Sequence, residues 1–320
     1  MRKNQVAVID VSNLPEDEQA LADMDLACRK WGFFQVVGHG IPDALVAAFM
    51  GEMRRFFALP MATKQEIART AENAWGFYDK ELTKNTRDWK QILDIGPAVD
   101  DGPMAGSHPQ WPGSLTGFRG IVEKFDAECE RVAHLIASGI SVNLGMPAEH
   151  LAGAFGPMHT SFLRLNYYPV CEDPAPEDAA TVPEAGRLGI NRHTDAGAVT
   201  VLLQDDQPGL QVLQGERWHT IPPRPDALVI NIGDIVQVWS NDRYAAPLHR
   251  VLASADRERF SAPYFFNPSY DTDYAPLPSL IESGEQPVYR SINWGDFRAG
   301  RAAGDYSDHG EEIQISHFRI

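Results

Sequence analysis

Three kinds of residue are scarce, and each scarcity removes a class of function. Cysteine occurs only three times in 320 residues, at Cys28, Cys129 and Cys171, with no Cys-x-x-Cys pair. A thiolate zinc site or a disulfide-stapled scaffold needs more cysteines, and closer ones; this usage suits a reducing compartment. Long apolar runs are missing, since no stretch approaches the roughly 18 uninterrupted apolar residues that cross a bilayer. Positive charge is short as well. Lysine and arginine total 28 against 44 aspartates and glutamates, for a net charge of −16. Such a surface repels phosphate backbones and anionic headgroups, so neither a nucleic-acid nor a membrane partner is expected. The opening Met1-Arg2-Lys3-Asn4-Gln5 leads into a short apolar run and then acidic residues, unlike a secretory leader. A cytoplasmic location is the expectation. A basic pocket inside the acidic shell remains compatible with these numbers.

What is present reads as an ordinary folded chain, 43% apolar and 22% charged, able to build a sizeable core. Its first part is mixed. Residues 6–10 and 33–37 read as strands, the second closed by Gly38-His39-Gly40 and Pro42; residues 15–31 and 43–59 read as helices. From Phe118 the apolar positions 118, 121, 122, 125, 129, 132, 135, 136 and 140 keep helical spacing, which predicts a long amphipathic helix ending near Gly145. Beyond about residue 160 the character changes to short β-rich runs: 162–168, 198–203, 210–213, 228–232, 249–253 and 260–266. Turn residues such as Asp205-Asp206-Gln207-Pro208-Gly209 and Ser254-Ala255-Asp256 separate them. The expected class is α+β with a mainly β core, a sandwich or jelly roll with the first part's helices outside. The acidic, proline-containing segment 171–187 is expected to be a mobile surface loop. No internal repeat or low-complexity tract is present.

The most informative stretch is Asn191-Arg192-His193-Thr194-Asp195. On a strand, residues two apart share a face, so His193 and Asp195 can aim an imidazole and a carboxylate at one point. Alone, a His-x-Asp pair is more often surface or core hydrogen bonding. His249 follows 54 positions after Asp195, and Arg259-Phe260-Ser261 begins ten positions later. If residues 254–256 turn a hairpin, position 249 faces 261 and 251 faces 259, and His249, Arg259 and Ser261 share one face. Two histidines and one carboxylate on one face of an octahedron leave three positions open, as iron(II) oxygenases require. A guanidinium beside a hydroxyl is a natural clamp for a carboxylate.

This pattern of His-x-Asp, a distal His and Arg-x-Ser resembles the isopenicillin N synthase-like, plant-type 2-oxoglutarate/iron(II) dioxygenases. The resemblance covers nearly the whole chain. It includes the segments from Trp31 to Pro42, Arg164-Leu165-Asn166-Tyr167-Tyr168-Pro169, Pro208-Gly209-Leu210-Gln211-Val212 and, near the end, Gly310 to Ser316. It implies a distorted double-stranded β-helix (jelly roll) with the metal at one mouth. By matched position it implies His193, Asp195 and His249 as iron ligands, and Arg259 and Ser261 as the hold on the distal carboxylate of 2-oxoglutarate. Asn166 and Tyr168 would assist that hold. The expected organisation is a mixed region over 1–158 that packs on the barrel without folding alone, a jelly-roll core over 159–269, and a completing extension over 270–320. The implied reaction consumes O2 and 2-oxoglutarate, releases succinate and CO2, and hydroxylates or desaturates a small organic molecule. The motifs leave open a same-fold iron oxidase that dispenses with 2-oxoglutarate, a zinc or nickel enzyme of other chemistry, and a non-catalytic ligand sensor. They do not specify the prime substrate or the oligomeric state.

Other tempting residues have blander readings. His39 lies in a structural segment, and histidines 108, 134, 150, 159, 219, 309 and 317 lack a second ligand at useful spacing. Asp234 is expected to serve a turn or cap. Trp75, Phe77, Tyr78, the segment 83–95, Phe265, Phe266 and Asn267 can either line a substrate pocket or cover the barrel.

Overall fold

Alternation of side chains across two facing sheets organises the molecule. The computed structural model describes residues 5–84, 86–100, 104–156, 158–179, 186–282, 284, 286–304 and 313–320. Twelve strands build the two sheets: β1 (Val8–Asp10), β2 (Phe33–Val37), β3 (Gly76–Tyr78), β4 (Gln91–Ile95), β5 (Phe162–Tyr168), β6 (Leu188–His193), β7 (Val199–Gln204), β8 (Leu210–Gln214), β9 (Arg217–Thr220), β10 (Leu228–Ile232), β11 (His249–Leu252) and β12 (Arg259–Phe266). The larger sheet runs β1-β2-β10-β7-β12-β5-β4-β3 and the smaller β9-β8-β11-β6. Among the strand pairs of the two described sheets, β1 with β2 is parallel and the others are antiparallel. This is the expected α+β jelly roll, and the region before residue 158 supplies four strands of the larger sheet, two at each edge.

On β12 the residues Phe260, Ala262, Tyr264 and Phe266 are buried in the main hydrophobic core, whereas Arg259, Ser261, Pro263 and Phe265 line a cavity on the opposite face. That is the period of two expected of a strand covered on both sides. The core side is covered by three helices, α1 (Glu18–Lys30), α2 (Asp43–Phe57) and α3 (Phe118–Asn143). Asp17 caps α1 by accepting from the amides of Gln19 and Ala20, and Arg29 and Lys30 lie at its negative end. Helix α3 buries Phe118, Val122, Phe125, Cys129, Val132, Ile136 and Ile140, as its spacing predicts, while Ile121 and Leu135 flank them half-buried. It ends at Asn143, and just beyond its cap lies Gly145, whose φ of +77° few other residues adopt cheaply. Phe49 of α2 stacks on Phe125 with ring centroids 3.9 Å apart, joining the helices above the sheet.

Two expectations need correction. β11 and β12 are not a hairpin: β11 pairs with β6 and β8 in the smaller sheet, and β12 with β5 and β7 in the larger. The intervening residues carry the chain from one sheet to the other, so His249 meets Arg259 and Ser261 across the barrel rather than beside them. The loop over 171–187 is also better anchored than expected where it is described. Arg250 donates to the carbonyls of Glu177 and Ala179, and Arg187 pairs with Asp173 and Ala175 through backbone bonds. Residues 180–185 of that loop, and Gly310 to Glu312 of the C-terminal segment, lie outside the described residues.

Candidate active site

Strand β6 ends at His193, and Asp195 lies just past it, in the loop leading to β7. That loop is pinned from three sides. The Asp234 amide donates to the Asp195 carbonyl at 2.8 Å, and Arg301 donates to the Thr194 carbonyl at 2.8 Å. Gly233 packs so closely that a Cβ there would lie 2.2 Å from the Gly197 carbonyl oxygen, so any side chain displaces the loop. His249 opens β11 and pairs in register with His193 across the smaller sheet.

The two imidazoles lie with ring centroids 4.1 Å apart. In each, Nδ1 faces a backbone carbonyl two residues earlier, Asn191 at 2.8 Å and Pro247 at 3.1 Å. A carbonyl only accepts, so Nδ1 carries the proton and Nε2 presents its lone pair. Both Nε2 atoms face the same carboxylate oxygen, Asp195 Oδ1, at 3.5 and 3.6 Å. The other oxygen, Oδ2, is held by the Thr200 hydroxyl and, at 2.8 Å, by the Asn231 amide. These bonds leave three ligand atoms, two nitrogens and one oxygen, within 4.8 Å of one another. Burial pushes the His193 pKa down to about 3, helped by His249, so the ring is a neutral ligand at ordinary pH. Burial pushes the Asp195 carboxyl up, but the two imidazoles and the Thr200 and Asn231 bonds outweigh it and hold the group below its usual value. A divalent cation fits these two imidazoles, with their Nε2 atoms turned to one point, and the buried carboxylate.

A cavity of about 430 Å³ extends from the triad between the sheets. At one end lies Arg259, 2% exposed. Its Nε donates to the Gln207 carbonyl at 3.2 Å and one Nη to Gln204 Oε1 at 3.0 Å, while the other Nη has no protein partner. No carboxylate pairs with it among the described residues. Tyr168, opposite Arg259 on β5, lies under the guanidinium at 5.1 Å and faces the Ser261 hydroxyl at 3.4 Å. Asn166, opposite Ser261, is buried with Oδ1 unsatisfied, and so is Gln204 Nε2 in the same cross-strand row. A buried cation and neighbouring polar atoms without partners are costly, and an entering carboxylate matches the cation's donors. Arg259, Ser261, Tyr168 and Asn166 thus gather as the sequence predicts.

The cavity wall holds what the sequence did not foretell. Arg69, Lys90 and Arg164 interlock with Glu81, Asp88 and Asp94. Arg164 grips Asp94 bidentately at 2.7 and 2.9 Å and Glu81 at 2.9 Å, and Lys90 meets Glu81 at 2.6 Å and Asp88 at 3.1 Å. Burial raises the Glu81 carboxyl, yet the three cations drive it well below its usual range; the same acids hold Lys90 above its own. Of the open aromatic candidates, Trp75 and Phe265 line the cavity, as does Asn267, whereas Phe77 and Phe266 belong to the core. His39 is structural: its ring nitrogen accepts from the Ile41 amide and its carbonyl from Arg131. Asp234 opens a short helix, but it is fully buried beside Arg301, with its pKa raised to about 6 by burial. Thr200 and Asn231, which orient Asp195, were also missed; a lone asparagine inside the apolar run 228–232 was the available signal.

Comparison with known proteins bears on the same residues. The 2OG-Fe(II) oxygenase superfamily model matches residues 159–268, and the model of the non-haem dioxygenase in morphine synthesis N-terminal region matches residues 6–114. Jasmonate-induced oxygenase 2 of Arabidopsis thaliana is 32% identical over 304 residues, covering 92% of this chain and 78% of that protein. The chain belongs to the 2-oxoglutarate/iron(II) dioxygenase family. Flavanone 3-dioxygenase 2 of Oryza sativa subsp. japonica is 33% identical, over 92% of this chain and 82% of its own. The crystal structure of JOX2 with 2OG, Fe and JA superposes with a TM-score of 0.78 at 30% identity, covering 93% of this chain and 86% of that one. A full-length Neurospora crassa protein in complex with alpha-KG gives 0.80 at 25% identity, over 95% and 97%. As a plant-type member of the family, the chain is an oxidoreductase that uses iron(II) and 2-oxoglutarate to oxidise a small organic molecule. Among the described residues no helix is long and apolar enough to cross a membrane.

Proposed function

We propose that His193, Asp195 and His249 hold the iron, and that Arg259 receives the distal carboxylate of 2-oxoglutarate with Ser261, Tyr168 and Asn166 around it. The observation that carries this reading is the presence, in one cavity, of a two-nitrogen, one-oxygen ligand set and a buried guanidinium that keeps one donor without a partner. The chain's part is positional. The Asn191 and Pro247 carbonyls fix both imidazole tautomers, while Thr200 and Asn231 keep one Asp195 oxygen occupied so that the other faces the metal. Arg259, stacked on Tyr168 and tied to Gln204 and Gln207, is rigid before any ligand arrives, which lowers the ordering cost of binding. Iron with 2-oxoglutarate supplies the oxidising power, drawn from O2 with release of succinate and CO2.

Metal analysis and succinate measurement test the assignment. Anaerobically reconstituted protein should carry iron and, once 2-oxoglutarate and O2 are supplied, form succinate; Asp195→Ala should carry no iron above background. Its succinate formation should fall on the order of 10³-fold, the scale of several kcal/mol of metal assistance. Stoichiometric iron in the Asp195→Ala protein would refute the ligand set.

We also propose a cytoplasmic location, supported by three free, buried cysteines that suit a reducing compartment. The division into 1–158, 159–269 and 270–320 is likewise proposed, with 1–158 dependent on the rest. β2 and β4 bond to β10 and β5, so that fragment alone has unpaired edges inside its core. Circular dichroism of residues 1–158 should show no cooperative unfolding, and a cooperative transition would refute the dependence.

A further inference from the structure

Among the described residues, the cations that line the cavity find partners one by one until Arg298 is left. Arg69, Lys90 and Arg164 are matched by Glu81, Asp88 and Asp94 in the buried network described above. Arg301 lies beside Asp234 and directs its donors to the Thr194 carbonyl and Gln314. On the reading proposed above, Arg259 is met by the distal carboxylate of the co-substrate. Asp195 and the co-substrate's other carboxylate together offset the iron's two charges. Arg298 remains. It sits on a C-terminal helix, α4 (Trp294–Gly304), and lines the cavity. No carboxylate or carbonyl pairs with it among the described residues; its guanidinium stacks instead on Phe162 at 5.3 Å and near Trp294 at 5.9 Å.

Strand register places this cation away from the clamp. Arg259 faces Tyr168 at one end of the β12–β5 pair, and Phe265 faces Phe162 at the other. Those rows are about 20 Å apart at the usual rise per residue. Between Arg298 and the network lies an aromatic wall, with Phe162 4.9 Å from Phe265 and 5.4 Å from Trp75 by ring centroids. A guanidinium laid on aromatic rings keeps its planar donor edge free and oriented, the geometry that grips a carboxylate.

We infer that Arg298 binds a carboxylate on the prime substrate, and that this substrate is a flat organic monoanion whose body lies against Phe162, Phe265 and Trp75. A single half-buried guanidinium matches one negative charge, which favours a monocarboxylate over a phosphate dianion. The inference rests on the proposed iron and 2-oxoglutarate assignment and names the substrate class for that site.

Isothermal titration of the anaerobic iron(II) protein with 2-oxoglutarate present tests it. The probes are trans-cinnamate, indole-3-acetate and 1-naphthoate, each against its own carboxamide, so that only the charge changes. At least one acid should bind about tenfold or more tightly than its amide, the scale of one charge-assisted pair. Arg298→Gln should erase that preference and Arg298→Lys retain part of it, with 2-oxoglutarate affinity unchanged in both. If no acid outbinds its amide in the unmodified protein, or if the preference survives in Arg298→Gln, the inference is wrong. The comparison of acid with amide needs no variant, so a poorly folding substitution does not blunt it. Failure of the unmodified protein to bind 2-oxoglutarate would instead sink the reading on which the inference stands.

Discussion

Two sets of buried cations share one cavity and differ in what opposes them. Arg69, Lys90 and Arg164 each face carboxylates, and their six-member network closes on itself along the wall. Arg259, buried as deeply, is held by one carbonyl and one amide oxygen and keeps one donor without a partner. Both arrangements cost desolvation, but only the first recovers it within the protein. A buried cation with its own acids is part of the wall, and a buried cation without them is half of a binding interaction.

Breaking the closed set should be the more damaging act for the fold. Glu81→Gln leaves two guanidiniums and an ammonium short of one charge in a dry site. We expect a loss of about 3–5 kcal/mol in denaturant unfolding, the cost of orphaning a buried charge. An unchanged unfolding midpoint would mean that the network is wetter than its burial indicates. The open cation should behave in the opposite way. Arg259→Met removes a charge that no carboxylate pairs with directly among the described residues, Asp205 acting on it only at longer range, so stability should hold or rise. 2-Oxoglutarate affinity should drop by about 2–5 kcal/mol. If that variant instead loses stability as Glu81→Gln does, the distinction between wall and binding half collapses.

Asp234 gives a smaller, pH-dependent version of the test. Its folded pKa, raised from 3.8 to about 6 by burial, lies above its unfolded value, with Arg301 and Thr194 only partly offsetting the shift. A raised carboxyl favours the fold while protonated. Its contribution is complete below pH 3.8 and is lost as pH rises through 6, by about 3 kcal/mol at most. Asp234→Asn should therefore gain stability over the unmodified protein above pH 6 and lose that advantage toward pH 4. A pH-independent difference would show that Arg301 neutralises the carboxylate fully.

Much of this was legible in the residues. The long helix α3 announced itself through unbroken apolar spacing, and most strands of the second half were bounded by turn residues. His193, Asp195, His249, Arg259 and Ser261 were readable because they sit in short, ordered motifs. The route that brings them together was not. Strand alternation placed 249, 259 and 261 on one face of a hairpin, whereas the chain crosses between sheets there; local periodicity does not tell adjacent pairing from facing pairing. The network was illegible for a different reason. Glu81, Asp88, Lys90 and Asp94 look like any solvated charged stretch until β3 and β4 join the larger sheet and Arg164 arrives from β5. Arg298 belongs to no motif, and only the count of charges around the finished cavity singles it out.

The most direct measurement is the visible spectrum of anaerobic iron(II) protein titrated with 2-oxoglutarate. Chelation of the metal by the keto acid should give a weak charge-transfer band that saturates in the unmodified protein and is absent in His193→Ala. In Arg259→Met the band should form only at much higher concentration, by the factor that 2–5 kcal/mol implies, roughly 30-fold or more. A band that saturates at the same concentration with and without the guanidinium would contradict the account at its centre.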